Sequence, residues 1–176
     1  QIIRITAETL SGIPSIVFGL FGMLFFVTAL HWGMSLLAGA CTLVIMVLPL
    51  IMRTSEEALK AVPDSYREAS FGLGAGKLRT IFTIVLPSAV PGILAGIILA
   101  IGRIIGETAA LLYTSRTVAQ VPNLMGSGRT LALHMYVLSS EGLHMNQASA
   151  TAVVILLFVL LINGLSGMVA KCIAKG

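Results

Sequence analysis

Long apolar runs dominate this chain. Four of them, at about residues 13–30, 34–52, 88–113 and 148–170, are nearly free of charge. A helix crossing the hydrocarbon of a bilayer needs roughly 20 such residues. It must also satisfy every backbone N–H and C=O within itself, because lipid offers no partners. The composition fits. Apolar residues make up 57% of the chain and charged residues only 10%, against roughly 25% charged in soluble domains. The expected fold is therefore all-α: a polytopic membrane helix bundle with four transmembrane helices, forming one domain over residues 1–176. Pro and Gly inside the runs are compatible with helices in lipid.

His31-Trp32-Gly33 separates the first two runs. So short a link predicts a tight turn and an antiparallel pair, with Trp32 as an interface anchor. The longer non-spanning segments are 53–87 and 114–147. Arg4, Arg53, Lys60, Arg67, Lys77, Arg79, Lys171 and Lys175 fall on one side of a four-span arrangement, and only Arg116 and Arg129 on the other. The positive-inside bias then predicts cytoplasmic termini and a cytoplasmic 53–87 loop.

That loop contains Gly74-Ala75-Gly76-Lys77, which raises the question of a phosphate-binding loop. Such a loop needs a first glycine where Phe71 stands and a hydroxyl where Leu78 stands. The metal-binding and phosphate-wrapping groups are both missing, so a nucleotide site is excluded. The local pattern reads as helix, stop, helix. Ser65 and Glu68 have the S-x-x-E spacing of a capping box. Tyr66, Ala69 and Leu73 fall on one helical face. Gly74 suits a helix stop, and a second short helix is expected from about Lys77 to Val85. A nine-residue helix is marginal alone in water, so it must pack, either on the chain's own spans or in a groove on a partner.

Glu68-Ala69-Ser70, three residues, Gly74, nine residues and Ile84-Val85-Leu86-Pro87 resemble the EAA loop of ABC importer permeases, with Ser70 in place of the second alanine. In that family the loop is the coupling helix that seats in the ATPase subunit. The resemblance therefore implies ATPase docking by Ser65, Glu68, Ala69 and Gly74. "IPSIVFGLFG" at 13–22, "LPLIMRTSEEALKAVPDSYREAS" at 48–70, "PGILAGIILAIGRIIGETAALL" at 91–112 and "LLFVLLINGL" at 156–165 resemble the PstA-type subunit of phosphate-specific ABC transporters. Ala110 replaces a proline usual there, and the sister PstC-type subunit usually has Met after Gly-Glu-Thr. This likeness implies a phosphate importer permease with no catalytic site and no cofactor. Its implied partners are an ABC ATPase dimer, a sister permease subunit, an extracytoplasmic phosphate-binding protein, phosphate and the lipid bilayer, with no nucleic acid. Such permeases usually have six spans, so two further spans are expected before residue 1.

Arg103 and Glu107 stand four apart in the third run and would share one helical face. An ion at mid-membrane costs about 2.5 to 3.5 kcal/mol on insertion scales. The pair therefore needs compensation, by pairing with each other or across subunits, by snorkelling, or by lining a polar path. An arginine fork matches a tetrahedral oxyanion, and Glu107 would compete for it and so allow release. The resemblance implicates Arg103, Glu107 and Arg53 in translocation; by position alone Arg53 also fits a positive-inside anchor. His31, His134 and His144 share no metal-ligand spacing. Ser139-Ser140-Glu141 has no general base beside it. Cys41 and Cys172 stand in apolar surroundings and read as small hydrophobes. The rival readings are the sister PstC-type phosphate subunit, a permease for sulfate or molybdate, and a secondary transporter that couples ions through Arg103 and Glu107.

Overall fold

A computed structural model describes residues 2–115, 123–142 and 144–174, and all described regular elements are helical. In chain order they are α1 (Ile2–Ser11), α2 (Ser15–Gly22) continued by a π-helical segment (Met23–Ala29), α3 (Leu36–Lys60), α4 (Asp64–Gly72) and α5 (Lys77–Thr80). A second π-helical segment (Ile81–Val85) joins α5 to α6 (Leu86–Ile105), and α7 (Ala109–Thr114), α8 (Leu131–Glu141) and α9 (Met145–Ala174) follow.

Among the described residues, three helices are long and apolar enough to cross a membrane: Leu36–Lys60, Lys77–Ile105 and Met145–Met168. The first apolar run forms α2 and its π-helical continuation, which reach membrane length only together with α1, from which they turn by 97°. His31 and Gly33, with φ of 55° and 65°, turn the chain between this element and α3. Trp32 stacks on Phe26 there, ring centroids 5.5 Å apart.

The core lies where α2, α3, α6 and α7 meet, around Phe18, Met46, Val47, Ala100 and Ala110. Small residues set the spacing. A Cβ built on Gly96 of α6 would overlap the Thr54 side chain of α3, and one on Gly92 would stand 2.7 Å from Ala58 Cβ. The Gly92-x-x-x-Gly96 spacing thus lets two backbones approach, the usual solution where lipid removes the hydrophobic drive between helices. α9, by contrast, is mostly uncovered: only 6% of its apolar window is buried within this chain.

Three boundaries differ from the sequence expectation. The second apolar run was expected to end near residue 52, but α3 continues to Lys60. Ion pairs Arg53–Glu57 and Glu56–Lys60, each i,i+4, support that polar extension. The short helix expected over 77–85 is not separate. It is the start of one 29-residue helical run, Lys77–Ile105. Pro87 lacks an N–H and would end a regular helix, yet the run passes through it directly after the π-helical turn. Finally, the third run breaks at Gly106-Glu107-Thr108 instead of continuing to 113.

Candidate functional site

α4 stands at the joint between the two longest internal helices, α3 and the run 77–105. Pro63, with φ −56° and ψ 139°, occupies the N-cap position, and no side chain caps the helix. The expected Ser65–Glu68 capping box is therefore not formed. Pro63 moves the helix start forward, so Asp64 opens the first turn, where its negative charge faces the positive end of the helix dipole. The other end follows expectation. Gly74 has φ +81°, its N–H bonds the Phe71 carbonyl (2.9 Å), and the Ala75 N–H bonds the Ser70 carbonyl (3.1 Å). This is a Schellman stop, which glycine adopts without strain.

The two sides of α4 have different roles in the fold. Ser65, Tyr66, Glu68, Ala69 and Leu73 are exposed, Leu73 at 90%. Tyr66, Ala69 and Leu73 share a shallow cleft of about 500 Å³ with Arg79, Thr83 and Ile84. On the inner side, Ser70 Oγ lies 2.8 Å from Thr80 Oγ1, and both residues are buried. The Arg67 guanidinium donates to the Leu59 carbonyl (2.9 Å) and the Val62 carbonyl (3.1 Å), and pairs with Asp64. Sequence reading missed both contacts. Ser70 was visible only as a departure from the EAA pattern, and Arg67 only as one of several loop cations.

The charged residues of the third run separate. α6 ends at Ile105, so Arg103 and Glu107 do not share a helical face as expected. The Gly106 break rotates Glu107 away. Its carboxylate is buried and accepts the Ala110 N–H at 3.1 Å, tying down the first turn of α7. Arg103 is exposed, and no ion pair joins it to Glu107 among the described residues. Arg103 lines a cleft of about 400 Å³ with Leu50, Leu99, Gly102, Val159 and Asn163. Arg53 lies one helical turn along α3 from Leu50, and its side chain is paired with Glu57 (2.9 Å). Asn163, a polar residue within an apolar stretch of α9, joins Arg103 in this cleft and went unnoticed in the sequence.

At the far end of α3, Ser35 caps the helix by accepting the Ala38 N–H (3.2 Å). Backbone N–H groups of Ser35, Leu36 and Leu37 bond carbonyls of Thr114, Gly126 and Leu124. These bonds fix the described end of the 114–147 segment to the bundle and satisfy donors that a helix start leaves open. Residues 116–122 and 143 lie outside the described residues, as do the side chains of Arg4, Lys171, Cys172 and Lys175. Cys41 is a free, half-buried thiol.

Comparison with known proteins follows the same outline. The chain is 37% identical over 155 residues to "Probable ABC transporter permease protein YqgI" of Bacillus subtilis (strain 168), covering 80% of this chain and 53% of that protein. It is 37% identical over 180 residues to the phosphate transport system permease protein PstA of Yersinia pestis, covering 96% of this chain and 58% of that one. Over 115 residues it is 48% identical to PstA 2 of Mycobacterium tuberculosis (strain CDC 1551 / Oshkosh), covering 65% and 38%. The chain thus spans about half the length, or less, of these relatives. A structure of the MetNI methionine ABC transporter in an inward-facing conformation superposes with a TM-score of 0.74 at 21% identity, covering 96% of this chain and 72% of that one. At that identity the likeness is one of fold. The family model for the binding-protein-dependent transport system inner membrane component matches residues 1–175, and the chain belongs to that family of multi-pass membrane permeases.

Proposed function

We propose that this chain is the bilayer-embedded part of a permease subunit in an ABC importer for inorganic phosphate. An extracytoplasmic binding protein delivers phosphate, a sister permease subunit completes the path, and a separate ATPase dimer hydrolyses ATP on the cytoplasmic side. α4, with both termini, faces the cytoplasm. Its outer face, around Ser65, Glu68, Ala69 and Leu73, seats in the ATPase. Gly74 ends the helix so that this face projects. Arg103, exposed in its cleft between α3, α6 and α9, meets the oxyanion, and Arg53 lies near the inner end of the path. Glu107 has a different part from the one its spacing suggests: it holds α7 in place beside the break.

One observation carries this reading. A short helix with an exposed apolar-polar face is bonded on its inner side to two membrane-length helices. That is the form required of a part that receives force from outside the bilayer. The likeness to relatives named phosphate permeases supports the choice of substrate.

The test is uptake by the full-length protein, assembled with its partner subunits in proteoliposomes. Labelled phosphate is expected to accumulate only with ATP inside the compartment that α4 faces, and excess sulfate or molybdate should not compete. Uptake driven by a proton gradient or membrane potential without ATP would replace this reading with a secondary transporter. Competition by sulfate would change the substrate.

A further inference from the structure

We propose that Arg67 and Ser70 are positioning residues that form the two force-transmitting joints of α4, separate from the face that meets the ATPase. This inference rests on the reading of α4 as the coupling element and goes beyond it by naming how motion leaves that element. Residues 67 and 70 are three apart and lie on the inner side of the helix, whereas Ser65, Glu68 and Ala69 are exposed.

The first joint leads to α3. The Arg67 fork bonds two carbonyls, those of Leu59 and Val62. Leu59 stands in the last turn of α3, where carbonyls lack helical partners and the dipole end is negative. A guanidinium there meets both needs and fixes the angle between α3 and α4. A lysine would meet the two acceptors with one rotatable ammonium in place of a planar fork that fixes their relative direction.

The second joint leads to the 29-residue run. Thr80 Oγ1 donates to the Gly76 carbonyl at 3.2 Å. The two hydroxyls of Ser70 and Thr80 share a 2.8 Å bond in which either oxygen can donate. Ser70 is 4% exposed and Thr80 2%, so water does not compete for the bond. Thr80 lies in the first turn of a helix that continues to Ile105, roughly 43 Å at 1.5 Å per residue. That helix carries Arg103 near its other end. A displacement of α4 therefore reaches the Arg103 cleft through one hydroxyl pair and one continuous helix. An alanine at position 70, the residue the EAA pattern would place there, would leave Thr80 without this partner.

The experiment uses the full-length protein in its assembled transporter and measures phosphate taken up per ATP hydrolysed, together with ATPase co-purification. Ser70→Ala and Arg67→Gln are each expected to retain the ATPase and its hydrolysis, while uptake per ATP falls at least threefold, and about tenfold in the double variant. The exchange Ser70→Thr with Thr80→Ser keeps both hydroxyls and nearly the same volume, and should restore the ratio. An unchanged ratio in the double variant, or loss of the ATPase from either single variant, overturns the proposal. If the unaltered complex shows no ATP-driven uptake, the failure lies with the phosphate-importer reading. The joint is then read from spin labels at Glu68→Cys and Phe82→Cys, both exposed positions. Ser70→Ala should broaden their distance distribution; an unchanged width sinks the joint itself.

Discussion

Deleting residues 68–74, or placing aspartate at position 73, is expected to release the ATPase subunit while the chain still inserts into the membrane. Leu73 is 90% exposed, so the bundle itself gains almost nothing from it. Full burial of a leucine on a partner contributes about 1.5 to 3 kcal/mol. An aspartate there forfeits that and adds the cost of desolvating a charge. Each 1.4 kcal/mol is about tenfold in affinity, so Leu73→Asp should weaken ATPase binding by ten- to a hundredfold or more. The deletion should abolish binding, because it removes Glu68, Ala69 and the Gly74 stop together. Co-purification from detergent extracts reads the binding. Protease protection of the chain in membranes reads insertion. Retention of the ATPase by the deletion variant would show that docking lies elsewhere.

Arg103→Gln should reduce phosphate uptake ten- to a hundredfold with little change in thermal stability. The geometry separates these two effects. Arg103 is exposed in an otherwise largely apolar cleft, so its removal leaves no buried partner behind. Its loss to an oxyanion is that of a charge-assisted hydrogen bond, about 1.5 to 3 kcal/mol. Glu107→Gln is the contrast. Glutamine keeps an oxygen to accept the Ala110 N–H, so α7 should stay in place and uptake should change far less. Glu107→Ala, which removes the acceptor, should lower stability by about 0.5 to 2 kcal/mol, as loss of a helix-start cap does. Equal uptake in Arg103→Gln and the unaltered protein would reduce Arg103 to an interface anchor.

The apolar runs were legible because length and the absence of charge are enough to announce a membrane-length helix. Their ends were not, because ends are set by local chemistry. The Arg53–Lys60 extension of α3 is polar, so hydropathy ends the helix too early; its i,i+4 pairs were the available signal. Pro87 would end a regular helix, yet a π-helical turn directly before it lets the helix run through. The Ser65–Glu68 spacing reads as a cap, yet Pro63 takes the cap position first. Arg103 and Glu107 read as neighbours only if the helix is unbroken, and Gly106 gave the hint that it is not. Gly74 was read correctly because its chemistry and its position agree: glycine alone is unstrained at that φ. The inner contacts of α4 could not be read, since nothing in the spacing of Ser70 and Thr80 says that the turn between them brings two hydroxyls together.

The central claim is that α4 lies on the cytoplasmic side with its outer face against an ATPase. Thiol labelling at position 69 tests it most directly. Ala69→Cys is introduced into the full-length protein with Cys41 and Cys172 replaced by serine, and a membrane-impermeant maleimide is applied to oriented membrane vesicles. The cysteine should react only from the cytoplasmic side, and bound ATPase should protect it. Reaction from the outer side, or equal reaction with and without the ATPase, would contradict the account.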